Sequence, residues 1–308
     1  MSDLPYLYSS NRLPPLHPSH KSVATVSGGS VAPEFERIDE FLAARGIKPE
    51  AYARYSVQRE IVRRYGGKFV HTDEAQQRSY VGALVDLGMI WAVISTYGEM
   101  RKLPGDFRTA FFHDAAEQST GGPSKGRDTL VEYYASARFK AAGCAIRKAE
   151  PDFMCSSRGL EFGLAVKRFK IGNLEQHVRK ARRQIEGTNR AGVIVLDVTQ
   201  SSPMMHTPFH GTLDQFRAEA KTWMDEHFYG PMRRNWKAWQ LDQRKIPFVV
   251  CFHHGVCFLG DGTTARLSQM YNFSLAPVHL PSWSEKAMID TVHHVVESVR
   301  RTLPEAAP

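Results

Sequence analysis

Two runs in this chain show no polar alternation: AGVIVLDVT at 191–199 and IPFVVCFHH at 246–254. A strand half exposed to water alternates apolar and polar residues. An unbroken, β-branched run needs cover on both faces, so it reads as a central strand of a layered sheet. Helical patterns around the runs supply that cover. TLVEYYASARFKAAG at 129–143 ends in Gly143. In NLEQHVRKARRQIEG at 173–187, Leu174, Val178, Ala181 and Ile185 line one face, Asn173 and Gln176 suggest a capping box, and Gly187 closes the helix. SWSEKAMIDTVHHVVESVRR at 282–301 opens with Ser282 and Glu285 in a second capping-box pattern. These elements predict an α/β layered fold with helices flanking a sheet.

The remaining chain divides by composition. Residues 1–33 are rich in Pro, Ser and Gly and read as a flexible N-terminal arm. Residues 34–118 carry helical spacing in FERIDEFLAARGI, in PEAYARYSVQREIVRRYGG and in a long segment from Asp73 to about Thr96, and read as a small helical subdomain. Residues 119–128, STGGPSKGRD, read as a linker, since their glycine spacing fails the phosphate-loop pattern. Residues 129–303 form the α/β domain. Apolar residues at 42% and charged residues at 23% exclude a disordered chain or a coiled-coil rod.

The N-terminal twenty residues lack a basic segment followed by an apolar run, and Asp86 interrupts the most apolar stretch, Val81 to Ser95. A cytoplasmic location with no membrane partner is therefore expected. The four cysteines, Cys144, Cys155, Cys251 and Cys257, form no CxxC pair and read as buried thiols.

The chemistry-bearing residues fall between Glu132 and Gln184. Glu132 lies on the 129–143 helix. AIRKAEPDFMCSS and GLEFGLAVKRFK follow as extended segments joined by a tight turn at Arg158-Gly159. Pro151-Asp152 starts one strand, and Ala165-Val166-Lys167 ends the next. Counting back from the turn places Ser156 near Leu160, and Asp152 across from Leu164 or Ala165. Alternate strand residues share a face, so positions 165 and 167 point together toward one phosphate. Phosphodiester hydrolysis calls for a hard cation held by carboxylates and water.

This order of helix, hairpin, helix and strand resembles the PD-(D/E)XK nuclease superfamily over about residues 129–199. The resemblance implies a restriction-endonuclease-like mixed sheet and a nuclease acting on DNA with Mg²⁺ or Mn²⁺. It further implies Asp152 as metal ligand, Lys167 as the residue that positions water, and Gln184 as a helix residue touching the site. The second family acid, two residues before the lysine, is replaced here by Ala165. Glu132 is the first substitute for it, and Glu175 or Glu186 are others. Glu161 is a weaker metal candidate, because four strand residues separate it from Ala165 by about 13 Å. The alternative reading is a catalytically inactive nucleic-acid-binding or protein-interaction module on the same fold. A homodimer or larger complex is compatible with either.

Charge supports a nucleic-acid partner. Lys plus Arg number 40 against 32 acids, giving a net charge of +8. Much of the excess lies between Lys167 and Arg183, where Arg168, Lys170, Arg179, Lys180, Arg182 and Arg183 are the candidate phosphate-binding residues. A second cluster, MRRNWKAW at 232–239, interleaves cations with Trp236 and Trp239 and could stack a single strand.

Overall fold

A computed structural model describes residues 21–26, 32–65, 74–98, 106–112, 124–169, 171–260, 264–275 and 281–301. Four helices lead the chain after a first strand: β1 (Lys21–Val26), α1 (Ala32–Ala43), α2 (Arg54–Tyr65), α3 (Glu74–Tyr97) and α4 (Thr109–Phe112). Then come α5 (Lys125–Ala141), β2 (Ala145–Ala149), β3 (Asp152–Ser157), β4 (Leu160–Arg168), α6 (Leu174–Gly187) and β5 (Gly192–Asp197). The remainder comprises α7 (Pro203–His206), β6 (Phe209–His210), α8 (Leu213–Met224), α9 (Gly230–Asn235), β7 (Phe248–Phe258), β8 (Thr264–Ser274) and α10 (Trp283–Arg301).

The sheet runs β1-β8-β7-β5-β4-β3-β2, with the short β6 paired to β7 off that path. β5 is parallel to β4 and to β7, while β2, β3 and β4 form an antiparallel meander. All six residues of β5 are buried, and they divide by parity as a two-sided strand must. Val193 and Val195 join Leu164, Val166, Val250 and Phe252 on one face. Ile194 and Leu196 join Ala165, Val249 and Cys251 on the other, under α6 and the 224–241 segment.

The first face is covered by α3, α5 and α10, and α1 and α2 share its core. The helices of 32–112 are thus continuous with the α/β layer. By length and composition α3 could cross a membrane, but 72% of its most apolar window is buried inside the protein. Its Asp86, 0% exposed, is met by Arg54, Gln58 and Arg127. The Ser282–Glu285 capping box closes from both sides, at 2.7 and 3.4 Å.

Several boundaries differ from expectation. Part of the arm, 21–26, is an edge strand antiparallel to β8, and α1 begins at Ala32. In the 119–128 interval, Ser124 caps α5, its side chain accepting from Arg127 N, so 125–128 are helix rather than linker. Positions 113–123 lie outside the described residues. The single extended segment expected over 145–157 is two strands, because the chain turns at Glu150-Pro151 and Pro151 has no N–H to give to a ladder. Asn173 makes no side-chain cap; a 3₁₀ turn, Ile171–Asn173, leads into α6 instead.

Candidate active site

The β3–β4 hairpin sets the site. Arg158 and Gly159 have φ of 52° and 76°, the paired positive values of a tight two-residue hairpin turn. The register pairs Ser156 with Glu161 and Phe153 with Leu164, one residue from the expected Ser156–Leu160 match. Asp152 therefore reaches the end of β4 that carries Lys167. Gly163 permits this approach: a Cβ there would lie 2.8 Å from Pro151 Cδ.

Asp152 Oδ2 accepts from Val166 N at 2.7 Å and from Lys167 Nζ at 3.1 Å. Lys167 Nζ also donates to Val166 O at 2.7 Å. The ammonium thus stands where two oxygens converge. Both side chains are 13% exposed, shielded enough to strengthen the contact yet reachable from solvent.

Glu132, from α5, accepts from Lys148 Nζ at 2.6 Å, and Lys148 lies 3.6 Å from Asp106. Burial pushes the Glu132 carboxyl above its usual range, Lys148 opposes that, Asp152 adds to it and Lys167 opposes it. Three carboxylates, Asp106, Glu132 and Asp152, and two ammonium groups, Lys148 and Lys167, therefore form one electrostatic cluster.

The other named residues separate into groups. Ala165 is fully buried with Phe169, Val178 and Ala181, so no carboxylate substitutes from that position. Glu161 sits at the opposite end of β4, paired with Arg190 and 3.7 Å from Arg147, so it does not join the cluster. Glu175 pairs with Arg179 at 2.8 Å, and Glu186 lies 3.5 Å from Arg182. Arg168, 6% exposed, clamps Asp128 at 2.7 Å and Gln200 Oε1 at 2.6 Å. Its guanidinium is an internal tie rather than a phosphate contact. Arg179 and Arg182 also donate to Ala238 O, at 3.1 Å, and to Gln240 Oε1, at 2.8 Å. Lys180 and Arg183 are exposed, and Lys170 lies outside the described residues. Trp236 and Trp239 are buried at 7% and 5% exposure, which removes them as stacking platforms.

One flank of α6 adds His177 and Gln184, two turns apart. His177 Nδ1 and Gln184 Oε1 are buried without hydrogen-bond partners. The His177 ring stacks on Phe169 with centroids 5.2 Å apart. Burial lowers the His177 pKa, and Lys180 and Lys167 lower it further. His177 and Lys148 were not singled out from sequence. The signal for His177 was its seven-residue spacing from Gln184 on an amphipathic helix. Lys148 carried no signal, because β2 was not separated from β3.

Among the described residues no three His, Cys, Asp or Glu side chains gather as a metal site. The donors present still suit a hard cation. Asp152 Oδ2 and Val166 O already converge on the Lys167 ammonium, Glu132 is close by, and Mg²⁺ keeps several waters rather than requiring an all-protein cage. Comparison with protein-family models, curated proteins and solved structures finds no significant match.

Proposed function

We propose that this chain is a divalent-cation-dependent nuclease hydrolysing DNA phosphodiester bonds on a restriction-endonuclease-like frame. The observation that carries the reading is the shared engagement of Lys167 with Asp152 and Val166 O beside Glu132. The succession α5, antiparallel β2–β3–β4, α6 and parallel β5 supports it, because the family resemblance implies that order.

Asp152, Val166 O and Glu132 are the groups that would hold Mg²⁺ or Mn²⁺. Such an ion neutralises phosphate charge and lowers the pKa of a bound water. Lys167 Nζ, on a short tether between two oxygens, can turn to a non-bridging phosphate oxygen or orient the attacking water. Glu132 would meet the cation as a carboxylate, and the Lys148 ammonium that donates to it at 2.6 Å is the proton source of the cluster. A proton can thereby be supplied to a departing oxygen.

A specific observation favours the rival reading of a silent nucleic-acid-binding module: the methyl of Ala165 stands where the resemblance implies a carboxylate. Plasmid and oligonucleotide cleavage with Mg²⁺, Mn²⁺ or EDTA separates the two. Cleavage that EDTA abolishes is expected. Absence of cleavage in either metal, with intact DNA binding, transfers the assignment to the silent module.

A further inference from the structure

The two basic clusters of the sequence, α6 and MRRNWKAW, lie side by side. Arg179 reaches Ala238 O at 3.1 Å, and Arg182 reaches Gln240 Oε1 at 2.8 Å. These contacts join the outer surface of α6 to that of α9 and the turns after it. The only acids of α6, Glu175 and Glu186, are engaged by those same two arginines. Five further cations, Lys180, Arg183, Arg233, Arg234 and Lys237, are exposed, and none is held in an ion pair among the described residues.

Four of the five line up, and Arg234 directly follows Arg233 on α9. Lys180 and Arg183 are three apart on α6, and Arg233 and Lys237 are four apart on a helical turn continued by the Trp236 N to Met232 O bond. Lys237 adjoins Ala238, the residue bonded to Arg179, and Arg183 lies one turn beyond Arg179. At the other end Lys180 lies one turn from His177, whose ring stacks on Phe169 just past the β4 end that carries Lys167, so the strip runs toward the Asp152–Lys167 cluster.

Among the described residues the strip carries charge without stacking surface. Trp236 and Trp239 pack inward. Half-buried Trp223 and Tyr229 are committed to His227 and Phe273. Among the described residues the strongly exposed aromatic side chains, Tyr52 and Trp283, precede α2 and open α10, elements that serve the opposite face. Single strands are held by aromatic platforms as well as cations, whereas a duplex presents only its phosphates and groove edges.

We infer that Lys180, Arg183, Arg233, Arg234 and Lys237 form a track for the phosphate backbone of a double-stranded nucleic acid leading to the Asp152–Lys167 site. The inference deepens the nuclease reading and rests on it. The track selects duplex over single strand by what it lacks, and it works without reading bases.

The test is fluorescence anisotropy of the full chain with a labelled duplex and with its isolated strand, in EDTA, across a salt series. Wild type is expected to bind the duplex more tightly, with log affinity falling linearly with log salt. The variant Arg183→Glu/Arg233→Glu/Lys237→Glu, changed only at exposed positions, should lose about 0.9 of slope for each contact removed and at least about tenfold in affinity. Unchanged duplex binding by this variant overturns the track and leaves the nuclease reading standing, to be judged by cleavage. Equal, variant-sensitive binding of the single strand overturns the duplex selection. Displacement of the duplex by poly-glutamate at equal charge shifts the surface to an acidic protein and overturns the inference. Wild type that neither binds nor cleaves overturns inference and reading together.

Discussion

Asp86 and Asp152 are both carboxylates beside cations, and their surroundings could hardly differ more. Asp86, in the middle of α3, is 0% exposed and is met by Arg54, Gln58 and Arg127 from α2 and α5. Asp152, at the first residue of β3, is 13% exposed, and its Oδ2 shares Lys167 with a backbone carbonyl. Around Asp86 every nearby charge serves to hold helices together. Around Asp152 one ammonium is shared between two oxygens, and the pair is reachable from solvent. An ion pair enclosed between helices does structural work. An ion pair with spare valence at a strand end is available for chemistry.

The largest effect that tests this contrast is on folding. Asp86→Asn leaves Arg54 without its counter-charge in the core, and breaking such a buried pair costs about 3–5 kcal/mol. Urea unfolding should show that loss, with DNA cleavage intact in whatever fraction stays folded. A loss below about 1 kcal/mol would place Asp86 outside the architecture.

Asp152→Ala should do the reverse. No core cavity opens, so the unfolding midpoint stays close to wild type, while cleavage falls by on the order of 10²–10³, the scale of removing one preorganised electrostatic group. Survival of wild-type cleavage in this variant would remove Asp152 from the site. A parallel loss of stability would make it a second Asp86.

Asp197 falls between the two. It is buried at the end of β5, accepts from Thr199 N at 3.1 Å, and feels Arg168 without bonding it. Burial is the main cause that pushes its pKa up to about 6. A raised carboxyl favours the folded state fully below its unfolded pKa near 3.9, and that contribution is lost as pH rises through about 6. Asp197→Asn keeps the acceptor and deletes the titration. It should stabilise the protein at neutral pH by about 2–3 kcal/mol and remove the decline between about pH 4 and 6. His253 and His254, lowered by burial to about 4 and about 3, act with the opposite sign. Their contribution is present above pH 6.5 and is lost on acidification. A variant profile parallel to that of wild type would refute the assignment to Asp197.

The same contrast explains what the sequence discloses. Asp152 and Lys167 are 15 residues apart across one hairpin, so turn position and strand parity bring them together without knowledge of the fold. Arg54 and Asp86 are 32 residues apart on different helices, and nothing local marks them as partners. β5 and β7 are visible because burial on both faces leaves an unbroken apolar run. β8 interrupts its pattern with Arg266, Gln269 and Asn272, and β1 lies inside a Ser/Gly-rich arm, so neither stood out. The basic run of α6 predicts charge but not its use. Arg179 and Arg182 spend theirs on a segment 58 or 59 residues away. The α8 capping box, Thr212 with Gln215, was a readable signal that went unread.

The smallest effect concerns His177, on α6, the helix that packs against β4. His177 Nδ1 is buried without a partner, and burial, Lys180 and Lys167 lower the pKa of the ring. The proposed role of His177 is that its ring nitrogen bonds a substrate phosphate or its water. His177→Ala should lower kcat/KM by about three- to tenfold, the worth of one neutral hydrogen bond of about 1 kcal/mol. Loss of the Phe169 stack would lower stability, which activity alone does not separate from positioning. His177→Asn supplies the separation, since it retains a short polar group but no stacking ring. Recovered kcat/KM in His177→Asn, at unrecovered stability, is the expected result. Stability and kcat/KM falling together in both variants would make His177 a packing residue, and the Asp152 cluster would then work without help from that flank of α6.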